Sequence, residues 1–383
     1  MGAEPAISSL LGTGQMPYYS NFHLLHSALS ALRKLSPLVS SDSIFSLQQD
    51  LLAVNKGNAF FLHVGDCAES MNDSSSLIVK KKCEHYINMA SYVERQCKKR
   101  IVLMGRIAGQ FAKPRTNLYE EHKGKKILTY RGDIINSSLL GQEREPDPLR
   151  MIKAYYASRA ILKSIQKISP FLYTSHECLL LPYEYALTRW TEKNQGYRNC
   201  STDFLWLGVR TLEYNVYHDY LKKIINPIGI KIGPSADYKN IAVIIKTLAS
   251  CYPDRPIVII TRLGHLHVSV CLPTLIKCIK ETGLSLIWCV DPMHGNTAVD
   301  QYGKKYRKLA WIEAEIIESR RIHQKMDTEM GGLHLEVSFE EDINECIVDE
   351  KELTPKRCYR SLMDPRLNKS QCFLLLEKLF NEF

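Results

Sequence analysis

A repeated alternation of short apolar segments with longer amphipathic ones constrains the fold of this chain more than any other feature of its sequence. Strands are predicted at eight apolar segments, 59–64, 100–105, 171–174, 204–208, 229–234, 257–262, 284–291 and 332–336. Helical spacing of apolar residues predicts helices at 75–96, 146–168, 182–190, 212–224, 238–250, 268–282, 305–326 and 370–382. Strands that alternate with helices are typical of a parallel sheet. We therefore predict an α/β fold, either a (β/α)₈ TIM barrel or a doubly wound open sheet.

Polar residues at the ends of the predicted strands distinguish these two folds. One or more follow nearly every strand, and the set is Cys67, Arg106, Glu177, Arg210, Lys231, Arg262, His294 and Glu336. In a barrel the carboxyl ends of the strands form one ring around the active site, whereas an open sheet spreads them along a line. Because only the ring lets these side chains converge on one ligand, we predict the barrel. The long irregular stretch 107–145 is expected to be an active-site loop.

The residues before the first predicted strand form a separate part of the predicted organisation. Residues 1–58 are expected to be an N-terminal extension with two short helices, at 21–35 and 42–55, where apolar residues recur at helical spacing. Residues 59–383 are then the catalytic barrel domain. Apolar residues make up 45% of the 383-residue chain, which is enough for a substantial core.

Composition restricts the partners and the compartment. The chain has 50 Lys and Arg residues against 41 Asp and Glu residues, a net charge of +9 that suits anionic ligands. It contains no recognisable nucleic-acid-binding motif and no apolar run near the roughly 20 residues that span a bilayer. Residues 1–11 lack the charged and apolar regions of a signal peptide. Twelve cysteines without a CxxC pair indicate a reducing compartment, so we expect a cytoplasmic protein that binds neither nucleic acid nor membrane.

Cations are concentrated in the turn that follows the second predicted strand, within residues 105–115. Cations at the end of a buried strand are costly unless anions meet them, so this turn predicts a pocket for small phosphorylated acids. The alternative is a solvated basic turn. With the cations after later strands the set has six members: Arg106, Lys113, Arg115, Arg210, Lys231 and Arg262. Six cations suit one ligand with a phosphate and a carboxylate and a second ligand with a phosphate.

A second group of strand-end residues has the chemistry of metal ligands. It consists of Cys67, His294, Glu336 and Asp364. Thiolate, imidazole and carboxylate together suit a divalent transition metal such as Mn, Co, Fe or Zn. Each residue alone has an ordinary explanation, because a single buried Cys or His usually belongs to the core and a carboxylate beside a proline usually belongs to a turn. Their convergence at strand ends is what favours a metal site.

Several long motifs resemble those of class II 3-deoxy-D-arabino-heptulosonate 7-phosphate (DAHP) synthases. The motifs are Gly65-Asp66-Cys67-Ala68-Glu69, the stretch 105–115, Tyr130-Arg131-Gly132-Asp133, Thr174-Ser175-His176-Glu177, Asn226 to Pro234, Asp291 to Thr297, Gly332 to Glu336, and Asp364 to Asn368. The resemblance extends from about residue 18 to the C-terminus. It implies a TIM barrel that condenses phosphoenolpyruvate with erythrose 4-phosphate, using a divalent metal, with Mn²⁺ or Co²⁺ first and Zn²⁺ or Fe²⁺ as alternatives. We also expect a homo-oligomer.

The resemblance assigns roles to individual residues. The implied metal ligands are Cys67, His294, Glu336 and Asp364. The implied phosphoenolpyruvate site comprises Arg106, the backbone N–H of Val209, Arg210, Lys231 and Arg262. The implied aldose-phosphate site comprises Lys113, Arg115 and Thr116. The implied catalytic residues are Lys231, Glu177 and Arg106.

The sequence also departs from the family pattern. Members resemble Trp-Ile-Gly-Glu-Arg-Thr-Arg after the fourth strand, whereas Val209 and Leu212 stand here in place of the acid and the last base. Met363 stands where members often carry a cysteine able to pair with the metal-site cysteine. The chain is short, like compact members that serve secondary-metabolite (phenazine-type) pathways. Three hypotheses follow: a DAHP synthase, a synthase with a changed acceptor such as an amino analogue, or a non-catalytic homologue that binds ligands or regulates a partner.

Overall fold

The architecture was taken from a computed structural model that describes residues 10, 12–122, 124–139, 144–191 and 196–380. Its centre is a closed barrel of eight parallel strands. In chain order these strands are β1 (Ala59–Gly65), β2 (Arg100–Arg106), β3 (Tyr173–Glu177), β4 (Phe204–Leu207), β5 (Ile228–Ile232), β6 (Ile257–Thr261), β7 (Ile287–Val290) and β8 (Met330–Glu336). Each strand pairs with its neighbours in the chain, and β1 closes the barrel by pairing with β8. The (β/α)₈ prediction is confirmed.

Helices surround this barrel. Their bounds are Phe22–Lys34, Ser41–Asn55, Ser76–Cys97, Leu149–Ile168, Leu181–Ala186, Val209–Leu212, Asn215–Leu221, Tyr238–Cys251, Val268–Lys280, Leu309–Lys325 and Lys369–Phe380. The apolar faces of most of them pack on the outward-facing side chains of the strands, as the helix Tyr238–Cys251 does with Ile241, Ile245 and Leu248. No helix in the described part of the chain is long and apolar enough to cross a membrane.

Side chains that point into the barrel change character along its axis. Because alternate residues of a strand face the same side, β1 directs Phe61 and then His63 inward. Near the N-terminal ends the interior is apolar and includes Phe61, Met104 and Phe204. Toward the carboxyl ends the inward positions become polar. The barrel therefore combines a hydrophobic floor with a charged upper end.

The helix Ser41–Asn55 closes the N-terminal end of the barrel. Its residues Leu47, Leu51 and Val54 are buried in the same apolar cluster as Phe61. At the rim of this end, Asp50 accepts hydrogen bonds from the Arg100 guanidinium at 2.7 Å and the Tyr173 hydroxyl at 2.9 Å. The predicted extension thus contributes directly to the core of the barrel.

Several local predictions were wrong. The third strand begins at Tyr173 rather than at 171, and Phe171 is 80% exposed. Residues 305–308 form a short strand before their helix, because Arg307 is buried there while the strand pairs with Ala298–Val299 and Cys346–Ile347. Residues predicted as irregular or helical form two hairpins, and their strands are Tyr119–His122, Lys125–Leu128, Thr188–Thr191 and Gly196–Asn199. The predicted helix 212–224 is replaced by two short helices.

We predict that Leu51→Ala lowers the free energy of unfolding by about 2–5 kcal/mol, because it opens a cavity in the apolar floor of the barrel. Chemical denaturation followed by circular dichroism measures this change. Leu77→Ala is the control, since Leu77 is 63% exposed and its truncation should cost less than about 0.5 kcal/mol. Equal losses in the two variants would mean that Leu51 does not pack in the floor.

Candidate active site

A cavity of about 870 Å³ opens at the carboxyl ends of the strands. Most of the predicted site residues line it, namely Cys67, Arg106, Lys113, Arg115, Thr116, Glu177, Arg210, Lys231, Arg262, His294 and Asp364. Glu336 is fully buried and contacts His294 beneath the cavity. The turn after β2 and the loops after the other strands thus bring together residues that are far apart in sequence.

The four side chains with metal-ligand chemistry form one cluster. One ligand atom from each of Cys67, His294, Glu336 and Asp364 lies within 4.8 Å of all the others. The Cys67 Sγ lies 3.1 Å from Asp364 Oδ2, and His294 Nε2 lies 3.0 Å from Glu336 Oε1. Three of these residues follow or end barrel strands, whereas Asp364 lies in the C-terminal segment, in which Leu367 forms a β-bridge with Val337 directly after β8. One sulfur, one imidazole nitrogen and two carboxylates fit a divalent transition metal.

Glu336 is held ionised by its neighbours. Burial alone would raise its pKa, but the imidazole of His294 and the guanidiniums of Arg307 and Arg106 lower the pKa well below its usual range. Arg106 Nη1 donates to Glu336 Oε1 at 2.9 Å, and Arg307 Nη1 donates to Oε2 at 2.6 Å. Arg307 was not among the predicted site residues, because its segment was predicted to be helical. A buried carboxylate between two buried guanidiniums cannot change its rotamer easily.

The pKa of the Cys67 thiol is shifted in the opposite direction from that of Glu336. Burial raises its pKa well above the ordinary value, and the nearby carboxylates of Asp364 and Glu336 raise it further, while Lys113 and Arg106 act against them. A cation bound at this sulfur must therefore displace a proton, so its affinity should increase with pH.

The structure places Lys113 at the metal-ligand cluster. Its ammonium group contacts both Cys67 Sγ and Asp364 Oδ2. Arg115, which was predicted to share the aldose-phosphate site with Lys113, lies near Glu120 at 3.6 Å. Thr116 is exposed on the same cavity wall. A metal held by Cys67 and Asp364 and the ammonium of Lys113 would therefore compete for the same two atoms.

Two cations lie against the face of one indole. The Lys231 Nζ is 4.4 Å, and the Arg106 Cζ is 5.4 Å, from the centre of the Trp206 ring. Lys231 also donates to Asp291 Oδ2 at 2.7 Å. Burial lowers the pKa of Lys231, and Asp291 opposes that shift. Trp206 and Asp291 were not among the predicted site residues, although alternation along β4 predicts that Trp206 faces inward.

The remaining predicted cations have free capacity toward the cavity. Arg262 donates to the His294 carbonyl oxygen at 3.3 Å, while its buried Nε has no hydrogen-bond partner among the described residues. Arg210 is exposed and donates to the Pro114 carbonyl oxygen at 3.3 Å. Both guanidiniums are therefore available for an anion in the cavity.

Glu177 ends β3 inside the barrel and is 6% exposed. Its Oε1 has no hydrogen-bond partner among the described residues, and a Cβ on Gly208 would come within 2.4 Å of that atom. Burial raises its pKa, while Lys231 and Arg106 act to lower it. The carboxyl group is therefore suited to accept or donate a proton in the cavity.

The two residues that depart from the family pattern after β4 are Val209 and Leu212, and the structure describes the side chain of only the second. Leu212 is 6% exposed and packs in an apolar cluster with Leu181 and Tyr217, so its side chain does not reach the cavity. Val209 begins the short helix Val209–Leu212, and its side chain lies outside what the structure describes. An arginine at 212 could not contact the substrate site without leaving the core.

A buried acid supports the turn that carries the cations. The carboxylate of Glu69 accepts hydrogen bonds from the backbone N–H groups of Ala108, Gly109 and Gln110 at 3.1, 2.9 and 2.8 Å. Ala108 has a φ of +68°, a conformation that costs energy for a residue with a Cβ. Glu69 lies in the motif that carries Cys67, so one segment supplies a metal-ligand candidate and holds the turn after β2.

The fold and this site are those of a barrel enzyme acting on anionic substrates, and comparison with known proteins shows the family. The chain belongs to the class-II DAHP synthetase family, whose model matches residues 9–170 and 167–378. It is 32% identical to the phospho-2-dehydro-3-deoxyheptonate aldolase of Neurospora crassa, over 94% of this chain and 90% of that protein. It is 33% identical to a probable phospho-2-dehydro-3-deoxyheptonate aldolase of Pseudomonas fluorescens, over 93% and 92% of the two chains.

Other similarities are more distant. The phospho-2-dehydro-3-deoxyheptonate aldolase of Streptomyces coelicolor is 29% identical, over 94% of this chain and 93% of that protein. The solved structure of phospho-2-dehydro-3-deoxyheptonate aldolase from Francisella tularensis has a TM-score of 0.55 and 15% identity, and the match covers 93% of this chain and 95% of that one. The last similarity shows the likeness of the fold alone.

We predict opposite effects on metal affinity from two substitutions in the cluster. Lys113→Gln removes the competing ammonium, which is about 1.5–3 kcal/mol of charge-assisted contact, so Mn²⁺ should bind at least about tenfold more tightly without substrates. Cys67→Ala removes a ligand and should lose the metal while the far-UV circular dichroism stays native. Calorimetric titration with Mn²⁺ measures both. Full metal occupancy in Cys67→Ala would show that Cys67 is not a metal ligand.

Proposed function

We propose that this protein condenses phosphoenolpyruvate with erythrose 4-phosphate, giving DAHP and inorganic phosphate. The observation that carries the proposal is one cavity in which cations for two anionic substrates surround a cluster of Cys67, His294, Glu336 and Asp364. Membership of the class-II DAHP synthetase family supports it. The proposal includes a role in shikimate-type aromatic biosynthesis.

The cations determine where phosphoenolpyruvate would bind. Arg106 and Lys231 lie side by side on Trp206, and their charges suit the carboxylate and the phosphate of one small ligand. Arg262 and Arg210, with the backbone N–H of Val209, would hold the remaining phosphate oxygens. The aldose phosphate would lie nearer the entrance, where Arg115 and Thr116 line the wall. Holding both substrates in this way contributes to rate by orientation.

The proposed metal site would be formed by Cys67, His294, Glu336 and Asp364, with Mn²⁺ or Co²⁺ as the first candidates. A divalent cation there would supply Lewis-acid polarisation of the aldehyde oxygen. Lys113 would have to leave Cys67 and Asp364 on metal binding, which would release its ammonium for the aldose phosphate. The metal cluster and the second substrate site would thus be linked through one side chain.

The bond changes balance with one water molecule. The C3 atom of phosphoenolpyruvate forms a bond to the aldehyde carbon, and the aldehyde oxygen takes a proton. A water oxygen adds to C2 and gives up both protons as it becomes the ketone oxygen. One balances the proton taken by the aldehyde oxygen, and the other goes to the phosphate, which leaves as the C2–O bond breaks. Glu177, whose Oε1 has no protein partner among the described residues, and Lys231 are the proposed groups for these proton transfers.

A changed acceptor is the second candidate. The observation that favours it is Val209, which stands where the family pattern has an acid beside the phosphate-binding Arg210. Leu212 gives it no support, since that side chain is buried away from the cavity. A non-catalytic role is disfavoured because the implied metal ligands and the phosphoenolpyruvate cations are all present.

The context of the enzyme is also proposed. The alignment with the Neurospora protein spans 437 positions although 94% of this chain takes part, so that relative carries residues with no counterpart here. The compact chain supports a role in a secondary-metabolite pathway. The twelve cysteines are all free thiols, which supports a reducing cytoplasm. We also propose a homo-oligomer.

We predict that the purified protein consumes phosphoenolpyruvate and releases phosphate in equal amounts, and only when an aldose phosphate and a divalent metal are present. Dialysis against EDTA should abolish turnover and Mn²⁺ should restore it. Lys231→Met should abolish it as well, whereas Lys246→Met, on an exposed helix surface, should have no effect. If the protein binds phosphoenolpyruvate but consumes none with any of a panel of aldose phosphates, the result would favour a non-catalytic homologue.

We predict that Val209→Glu raises kcat/KM for erythrose 4-phosphate. An acid at this position could accept charge-assisted hydrogen bonds from neighbouring cations, each contributing about 1.5–3 kcal/mol, or roughly 10- to 150-fold in rate. Steady-state kinetics with erythrose 4-phosphate and with amino and other aldose analogues measure the preference. Val209→Gln, which restores length without charge, is the control. Unchanged kinetics in Val209→Glu would remove the support for a changed acceptor.

A further inference from the structure

A buried hydrogen-bonded chain lies one layer below the cations of the proposed phosphoenolpyruvate site. Alternation along the strands creates this layer, because Ser175 is two residues before Glu177 and His334 is two residues before Glu336. His63 lies opposite His334 in the register of β1 and β8. The Ser175, His63 and His334 side chains are all fully buried. They are the first polar residues above the apolar floor.

The Ser175 end of this hydrogen-bonded chain determines which ring nitrogen of His63 carries the proton. The Ser175 hydroxyl donates its single hydrogen to the Gly105 carbonyl oxygen at 3.0 Å. Toward His63 Nε2, at 2.7 Å, this hydroxyl can therefore only accept. His63 must be protonated on Nε2, which leaves a lone pair on Nδ1. His334 Nδ1 lies 2.8 Å from His63 Nδ1 and must therefore be the donor.

The other end of the chain leads independently to the same assignment. His334 Nε2 lies 3.1 Å from Arg106 Nη1 and 3.4 Å from Lys231 Nζ. Guanidinium and ammonium groups only donate, so Nε2 must accept and the proton of His334 must be on Nδ1. The opposite tautomer would place an N–H group against two cations. Both ends of the chain thus require the same neutral tautomers.

We propose that His63 and His334 are positioning residues for phosphoenolpyruvate, an inference that rests on the proposed function. The single Nε2 lone pair of His334 is shared by Arg106 and Lys231 and holds these like charges side by side on Trp206. His63 holds that lone pair in position, because its Nδ1 accepts the hydrogen bond that His334 Nδ1–H donates. Ser175 anchors His63 in turn. The two imidazoles never touch the substrate in this arrangement, yet they determine the spacing of the cations that do.

The test compares two substitutions of His63. His63→Leu removes the acceptor of the His334 Nδ1–H hydrogen bond, so the imidazole is no longer held in place and its Nε2 lone pair is no longer fixed between Arg106 and Lys231. His63→Asn keeps an acceptor, since its amide oxygen can occupy the place of Nδ1. Calorimetry with phosphoenolpyruvate in the presence of Mn²⁺ should show about 10- to 150-fold weaker binding in His63→Leu and recovery of most of it in His63→Asn. Mn²⁺ affinity and the KM for erythrose 4-phosphate should change by less than about twofold.

His323→Leu is the matched control for loss of a buried imidazole. His323 is 1% exposed on the outer helix Leu309–Lys325 and hydrogen-bonds Thr328 at 2.8 Å, away from the cavity. It should lower stability without changing phosphoenolpyruvate affinity. If His63→Leu does not fold, Ser175→Ala breaks the same chain at its far end and should weaken binding in the same direction.

Two outcomes would overturn the positioning role. The first is wild-type affinity for phosphoenolpyruvate in folded His63→Leu protein. If His63→Leu does not fold, wild-type affinity in Ser175→Ala counts in the same way. The second is equal loss in His63→Leu and His63→Asn, which would indicate packing alone. Failure of the proposed function is separate, because it would appear as wild-type protein that consumes no phosphoenolpyruvate in the turnover assay. The binding measurement does not depend on turnover.

Discussion

The charged upper end of this barrel depends on the buried carboxylate of Glu336. An ion inside a protein is costly unless hydrogen-bonded partners of opposite charge surround it. The guanidiniums of Arg106 and Arg307 meet that requirement at 2.9 and 2.6 Å, and His294 Nε2 lies 3.0 Å from the same carboxylate. Arg106 and His294 also have a second role, since Arg106 faces the cavity and His294 belongs to the metal-ligand cluster. Glu336 therefore links the proposed metal site to the proposed phosphoenolpyruvate site.

The layering of the barrel explains how so many polar groups can be buried together. The apolar floor, closed by the helix Ser41–Asn55, supplies hydrophobic burial that does not depend on the site above it. Above the floor lies the layer of His63 and His334, and the tautomer fixed at His334 presents one Nε2 lone pair to Arg106 and Lys231. The uppermost layer carries the cations and Glu177. Free energy from the floor can thus offset the cost of assembling like charges near the substrate.

The sequence predicted the fold and most of the candidate site because both depend on local patterns. Apolar segments alternating with helices specify a parallel sheet, and polar residues at strand ends such as Lys231 need a ring to converge. Elements whose conformation depends on distant partners were missed or misplaced. Residues 305–308 have helix-compatible composition, but Arg307 reaches Glu336 only when this segment is a strand. The third strand likewise begins at Tyr173, where pairing with Met104 begins, rather than at the more apolar 171.

By itself, the sequence determined the class of fold, the residue types around the cavity and the family. These follow from spacing and from motifs that are contiguous in the chain. Only the tertiary structure decided the positions of side chains relative to one another. It placed Lys113 on Cys67 and Asp364, buried Leu212 away from the cavity, and aligned His63 with His334 across the closing pair of strands. The physical reason is that such contacts join residues from separate elements, 271 positions apart for His63 and His334, and their geometry exists only once the barrel has closed.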